Sequence, residues 1–181
     1  MDCRNAGFTL IEALVAMAIV AIGLAIAVPA YSSVVAATHA EAAKVALAST
    51  LIAALNHSTL TQVEVVVCSS GNGTSCNGST DWSKGWIAFA DLDGNRIHGS
   101  NETLLRSELP LHSGTRLRST SQRTRIVFQP HGGAAAGSNV TFTLCDQRGP
   151  AKATTLVLAN SGRLRQGTPT AAAAIQCAYA P

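Results

Sequence analysis

The chain has 181 residues, 47% apolar, 4% aromatic and 13% charged, with 13 Lys and Arg against 10 Asp and Glu, which is one domain's worth of chain and too apolar for a disordered one. No charged side chain occurs in residues 13–38, a run long enough to cross a bilayer, so a purely soluble enzyme is disfavoured. The net charge of +3 conceals an asymmetry: residues 8–109 carry 4 basic and 8 acidic side chains, residues 110–181 carry 8 basic and 1 acidic, and the C-terminal part therefore points to an anionic partner.

Residues 1–7 are short and polar with Arg4, and Phe8-Thr9-Leu10-Ile11-Glu12 then opens an apolar run to Ala30. A cleaved secretory signal, a plain membrane anchor and a prepilin signal compete for this segment. Glu12 weighs on the choice, because a carboxylate in an apolar span costs about 2.5 to 3.5 kcal/mol at mid-helix and is usually kept for a function. Gly7-Phe8-Thr9-Leu10-Ile11-Glu12, followed by an apolar helix with Pro29, resembles the class III signal of type IV pilins and pseudopilins. The resemblance implies that a prepilin peptidase cuts after Gly7 and methylates Phe8. It also assigns Glu12 to filament assembly, where its carboxylate neutralises the free amine of a neighbouring subunit's Phe8 and offsets the cost of burying both. Arg4 suits a cytoplasmic N-terminus, so the remainder lies across the inner membrane, in the periplasm before assembly and on a pilus or cell surface after it.

The helix is expected to continue. Residues 38–55 are rich in Ala, Leu, Glu and Lys, with Ala43, Leu47, Leu51 and Leu55 on one apolar face able to lie on a sheet, and Pro29 is expected to kink or locally melt the helix. The boundaries read as a leader at 1–7, a membrane and filament-assembly helix at 8–30, an amphipathic helix at 31–57 and a head at 58–181. Past residue 58 the pattern becomes β-branched alternation. Val63, Val65 and Val67 lead to Cys68; Trp86, Ile87 and Phe89 lie in residues 85–90; further strands are predicted at 115–118, 125–128, 140–145 and 154–159. Six or seven short strands and no second long helix make an antiparallel sheet packed on the helix, an α+β fold.

Cys3 leaves with the leader, so the mature chain keeps Cys68, Cys76, Cys145 and Cys177, an even number in an oxidising compartment. Four cysteines allow three pairings. The favoured one joins Cys68 to Cys76 across a turn and Cys145 to Cys177, tying the C-terminal tail to a strand; zinc is the alternative, although the spacing matches no usual ligand set. Asp91-Leu92-Asp93-Gly94-Asn95 has the oxygen content of a calcium loop but reads better as an Asx/Gly turn, since the EF-hand spacing and distal glutamate are absent. The five histidines are scattered, no nucleophile motif is visible, and neither catalysis nor a cofactor is expected. Residues 132–137, all Gly and Ala, are expected to form a mobile loop.

Gly162-Arg163-Leu164-Arg165 places two arginines two residues apart. On a strand that spacing sets both guanidinium groups on one face and Leu164 on the other. Arg148 and Lys152 flank the preceding turn, and Arg116, Arg118, Arg123 and Arg125 lie earlier, so a positive patch suited to phosphate oxygens or a merely solvated face are both open. The prepilin start, the Cys68 strand, the Gly85-Trp86-Ile87-Ala88-Phe89 segment ending in Asp91 and the late Gly162-Arg163-Leu164-Arg165 resemble the FimT/GspH family of minor pilins and pseudopilins over essentially the whole chain. Members called FimT belong to type IV pili, some binding DNA through a Gly-Arg-x-Arg motif in natural transformation; members called GspH belong to type II secretion. The resemblance thus implies double-stranded DNA, other major and minor pilins and the prepilin peptidase as partners, with Gly162, Arg163 and Arg165 as the DNA contact and Arg148 and Lys152 beside it. A grip on about four phosphates would give a salt slope near −3.6. The alternative implied is a pilus-priming or pseudopilus subunit that binds no DNA.

Overall fold

Thr9 starts the first helix: its hydroxyl accepts the Glu12 N–H at 3.3 Å, the N-cap half of a Thr-x-x-Glu capping box, and Glu12 adds a favourable negative charge to the first turn. The structure, a computed structural model, describes residues 9–179, and the chain divides into two units at Val35/Ala36. Helix α1 is Leu10–Thr61 and does not melt at Pro29, where the Ser32 hydroxyl donates to the Pro29 carbonyl at 3.0 Å. In the first unit residues 10–34 are all exposed and carry Glu12 as their one charge. At 1.5 Å per residue that segment spans about 38 Å, enough for a hydrocarbon core of about 30 Å.

In the second unit α1 buries Ala40, Ala43, Leu47, Thr50, Leu51, Ala54 and Ser58, a stripe at helical spacing; Leu55 is only half buried. The helix ends past the expected residue 57. Gln62 takes a left-handed conformation, φ 59°, its N–H bonds the Ser58 carbonyl at 3.0 Å, and the chain turns into the first strand.

Eight strands follow: β1 Glu64–Ser69, β2 Trp86–Asp91, β3 Leu104–Glu108, β4 Arg116–Ser119, β5 Arg125–Phe128, β6 Val140–Cys145, β7 Thr154–Leu158 and β8 Leu164–Gly167, then a second helix, α2, Ala171–Tyr179. They form two antiparallel four-stranded sheets rather than one, in the orders β3-β2-β1-β5 and β4-β6-β7-β8. One face of each sheet meets the buried stripe of α1 in a single core that includes Val65, Trp86 and Phe128 from the first sheet and Leu117, Phe142 and Leu158 from the second. Its polar atoms are satisfied: Trp86 Nε1 donates to the Thr50 hydroxyl and Trp82 Nε1 to the Ser119 hydroxyl, both at 3.2 Å, and the Ser58 hydroxyl donates to the Phe128 carbonyl at 3.1 Å.

The outer faces are covered too. Val66, Cys68, Ile87, Phe89 and Val127 pack beneath Ala135 and Cys76, so β1 and β2 are buried on both sides and their strict alternation is lost. On the second sheet α2 covers Cys145 and Ala153 with Ala174 and Cys177. A disulfide closes each layer, Cys68–Cys76 with a Cα separation of 5.6 Å and Cys145–Cys177 with 6.0 Å. The glycine-alanine loop expected to be mobile is packed instead. Gly133, Ala134 and Ala135 are buried, with Ala134 N–H on the Asn160 carbonyl at 2.7 Å and Ala135 N–H on Val127 at 2.8 Å, because only such small residues let this loop lie against the β7–β8 turn.

Candidate functional site

The basic motif sits on a tight hairpin. Ala159 N–H bonds the Arg163 carbonyl at 3.0 Å and Gly162 N–H bonds Ala159 at 2.9 Å, so β7 reverses into β8, with Leu158 opposite Leu164 and Val157 opposite Arg165. Gly162 has φ +79° and its missing Cβ would lie 2.8 Å from Leu55 Cδ2 of α1. Backbone sign and close approach both require glycine there, which ties the turn to the helix. Leu164 packs inward against the core while Arg163 and Arg165 are exposed, the alternation their spacing dictates. Neither guanidinium has a partner among the described residues. On the inner side Lys44 Nζ donates to Gln166 Oε1 at 3.3 Å, fixing this edge strand to α1.

The other basic residues divide. Arg148 is committed to Asp146: its Nε donates to Asp146 Oδ1 at 2.9 Å and to Oδ2 at 3.1 Å, and Nη2 to Oδ2 at 2.6 Å, around a carboxylate whose side chain is 2% exposed. This is an internal pair closing the turn after β6, and it takes Arg148 out of the expected patch. Burial pushes the Asp146 carboxyl upward, but the side-chain and backbone hydrogen bonds from Arg148 outweigh it and hold the group below its ordinary value. A depressed folded-state value contributes stability above the unfolded-state value, about pH 4, and that stability is lost as the pH falls through the folded-state value. The deficit of Asp146→Asn in thermal stability should therefore be largest at neutral pH and shrink from about pH 4 downward, as melts across pH would show.

Lys152 is exposed on the 3-10 turn Pro150–Lys152, at the opposite end of β7 from the Arg163 turn, so it is not adjacent to the arginine pair. Arg125 lies on β5 in the first sheet, with Nη1 3.4 Å from the Arg96 carbonyl, and Arg123 Nε donates to the Asn139 carbonyl at 3.0 Å. Arg116 and Arg118 lie on β4, the far edge of the second sheet. The arginines thus do not form one continuous strand face. In the acidic loop, Asp91 accepts the Gly94 N–H at 3.0 Å and the Arg96 N–H at 3.1 Å, while Glu102 accepts Leu92 and Gly99 N–H at 2.8 and 3.0 Å. Burial raises the Asp91 carboxyl above its ordinary value. These backbone hydrogen bonds are those of an Asx/Gly turn, and the carboxylates of Asp91, Asp93 and Glu102 lie within 4.8 Å of one another around it. Gly7 and Phe8 lie outside the described residues.

A long helix laid on antiparallel sheets, with an apolar unit before it, is the architecture on which the comparisons bear. The family model described as type II transport protein GspH matches residues 45–162. The chain belongs to the GspH family of minor pilins and pseudopilins. The prokaryotic N-terminal methylation motif matches residues 2–28, across the apolar start of the chain. No curated protein matches the sequence. Among solved structures, the type IV minor pilin FimU of Pseudomonas aeruginosa superposes with a TM-score of 0.57 at 16% identity, over 82% of this chain and 98% of that one. A second crystal form of FimU gives 0.54 at 18% identity, over 78% and 98%. The minor pseudopilin EpsH of the Vibrio cholerae type 2 secretion system gives 0.52 at 10% identity, over 72% and 98%. At such identities these three show the fold. Membership of the family implies association with other pilins and processing by a prepilin peptidase, and the apolar helix with its methylation motif fits a membrane-anchored subunit.

Proposed function

We propose that this minor pilin grips double-stranded DNA by its phosphate backbone through Arg163 and Arg165, so that a retracting pilus draws DNA toward the cell in natural transformation. The observation that carries the reading is the pair of exposed, unpartnered guanidinium groups on a turn locked by Gly162. Phosphate contacts carry no base information, which suits uptake of arbitrary sequence. The processing scheme belongs to the same reading: residues 1–7 as leader, cleavage after Gly7, methylation of Phe8, Glu12 in filament assembly, residues 8–30 as membrane and filament helix, residues 31–57 continuing it, and the head from residue 58 in the periplasm until assembly carries it to the surface.

A second reading has its own support. The matched family carries a type II transport description and the fold also superposes on EpsH, so a pseudopilus or pilus-priming subunit without DNA binding remains the competitor. Complementing a deletion strain separates the two. The DNA-capture reading expects Arg163→Ala/Arg165→Ala to restore pili or secretion to wild-type levels and leave DNA uptake at the deletion level. Under the scaffold reading the variant and wild type restore every phenotype equally.

A further inference from the structure

Behind the arginine pair, the outer face of the second sheet holds a groove of about 430 Å³. Arg118 of β4, Thr141 and Thr143 of β6 and Thr155 and Val157 of β7 form its floor, and Ala173 and Gln176 of α2 stand as one wall. Among the described residues no acidic side chain lines it. The hydroxyls of Thr141, Thr143 and Thr155 make no side-chain hydrogen bond among the described residues, and the half-buried Arg118 has no partner there either. Asp81, the nearest acidic residue by strand pairing, directs its carboxylate to the Ser83 N–H at 2.9 Å. One guanidinium among free hydroxyl donors, with no carboxylate, suits a phosphate group rather than a cation.

Strand register puts the groove in line with the arginine hairpin. Arg165 is opposite Val157 and Val157 opposite Thr141, while the row beside it runs Arg118, Thr143, Thr155, Gly167. Arg118 and Arg165 are therefore three strands and two residues apart on one face, about 16 Å at spacings of about 4.8 and 3.4 Å. Phosphates recur every 3.4 Å of axis along each strand of a duplex, so this distance corresponds to about five base pairs.

We propose that the groove is a second phosphodiester site, in which Arg118 and the threonine hydroxyls hold one backbone phosphate of the duplex about five base pairs, half a turn, from the phosphates held by Arg163 and Arg165. The inference rests on the DNA reading and adds a contact to it. Arg118 supplies the charge and the hydroxyls orient the phosphate.

The test is a titration of a labelled random-sequence duplex with the full chain in neutral detergent at several salt concentrations. Removing one phosphate contact should make the slope of log K against log salt less steep by about 0.9, and weaken binding about 15-fold at 50 mM salt. Arg118→Ala should show this change, and Arg118→Lys should restore the slope. Ala173→Glu, which puts a carboxylate into the groove from α2 and leaves Arg118 in place, should act like Arg118→Ala with an unaltered circular dichroism spectrum. A wild-type slope in Arg118→Ala would overturn the groove site while leaving the arginine pair standing. If the wild type fails to bind at 50 mM, the DNA reading falls and this inference falls with it.

Discussion

Replacing Cys145 and Cys177 together with alanine should lower the unfolding free energy of the head by about 3.7 kcal/mol. The bond joins residues 32 apart, and closing a loop of that size removes about that much chain entropy from the unfolded state. For a domain of this size the loss corresponds to a fall in Tm of about 7 to 15 °C. The consequence is local as well as global, because the bond holds α2 over Ala153 on the outer face of the second sheet. The Cys68–Cys76 bond, spanning 8 residues, constrains less and its removal should cost about 2.6 kcal/mol. Calorimetry of the two double variants checks both values and their order. A larger loss from the shorter loop would show that packing, not chain entropy, sets the effect.

Arg163→Ala/Arg165→Ala should weaken duplex binding about 200-fold at 50 mM salt and make the salt slope less steep by about 1.8, with no change in Tm beyond about 2 °C. The stability part follows from the site: both side chains are exposed and unpartnered, and Leu164, which carries the packing of that segment, is untouched. The binding part follows from counterion release, since two phosphates would no longer be neutralised. Arg148→Ala should behave in the opposite way. It leaves buried Asp146 without its guanidinium, so it should destabilise the head and change DNA affinity little. Equal binding by the double variant and the wild type would move the account to the scaffold reading.

How much of this was legible in the residues depended on what each pattern has to distinguish. The apolar run without charge, the helical spacing of Ala43, Leu47 and Leu51, and the β-branched segments were readable because burial on one side leaves a period. β3 was missed because this edge strand, Leu104-Leu105-Arg106-Ser107-Glu108, half-buries only Leu105 and Glu108, three positions apart, and so shows no alternation to read. The helix α2 was missed because nine residues with four alanines at its start carry little pattern, although Thr170, whose hydroxyl accepts the Ala173 N–H at 3.2 Å, was an available N-cap signal. Division into two sheets depends on pairing between distant strands, which periodicity does not encode.

At the site, the exposure of Arg163 and Arg165 followed from their spacing around Leu164. The commitment of Arg148 did have a signal, the single acidic residue of the C-terminal part standing two positions before it at Asp146, but charge counting alone treated it as one more cation. Arg118 was grouped with its neighbours as general basic character. Only the strand register, which carries β4 across β6 and β7 to β8, places it on the same face as Arg165.

The most direct measurement is the affinity of the full chain for random-sequence duplex DNA between 50 and 200 mM salt, in neutral detergent and with disulfides oxidised. Binding at 50 mM is expected, with a slope of at least about −1.8 from the arginine pair, near −2.7 with the groove contact, hence a loss of about 12-fold to 40-fold across that range. Absence of binding at 50 mM, or an affinity indifferent to salt, would contradict a backbone grip and leave the chain as a filament subunit whose head meets only other subunits.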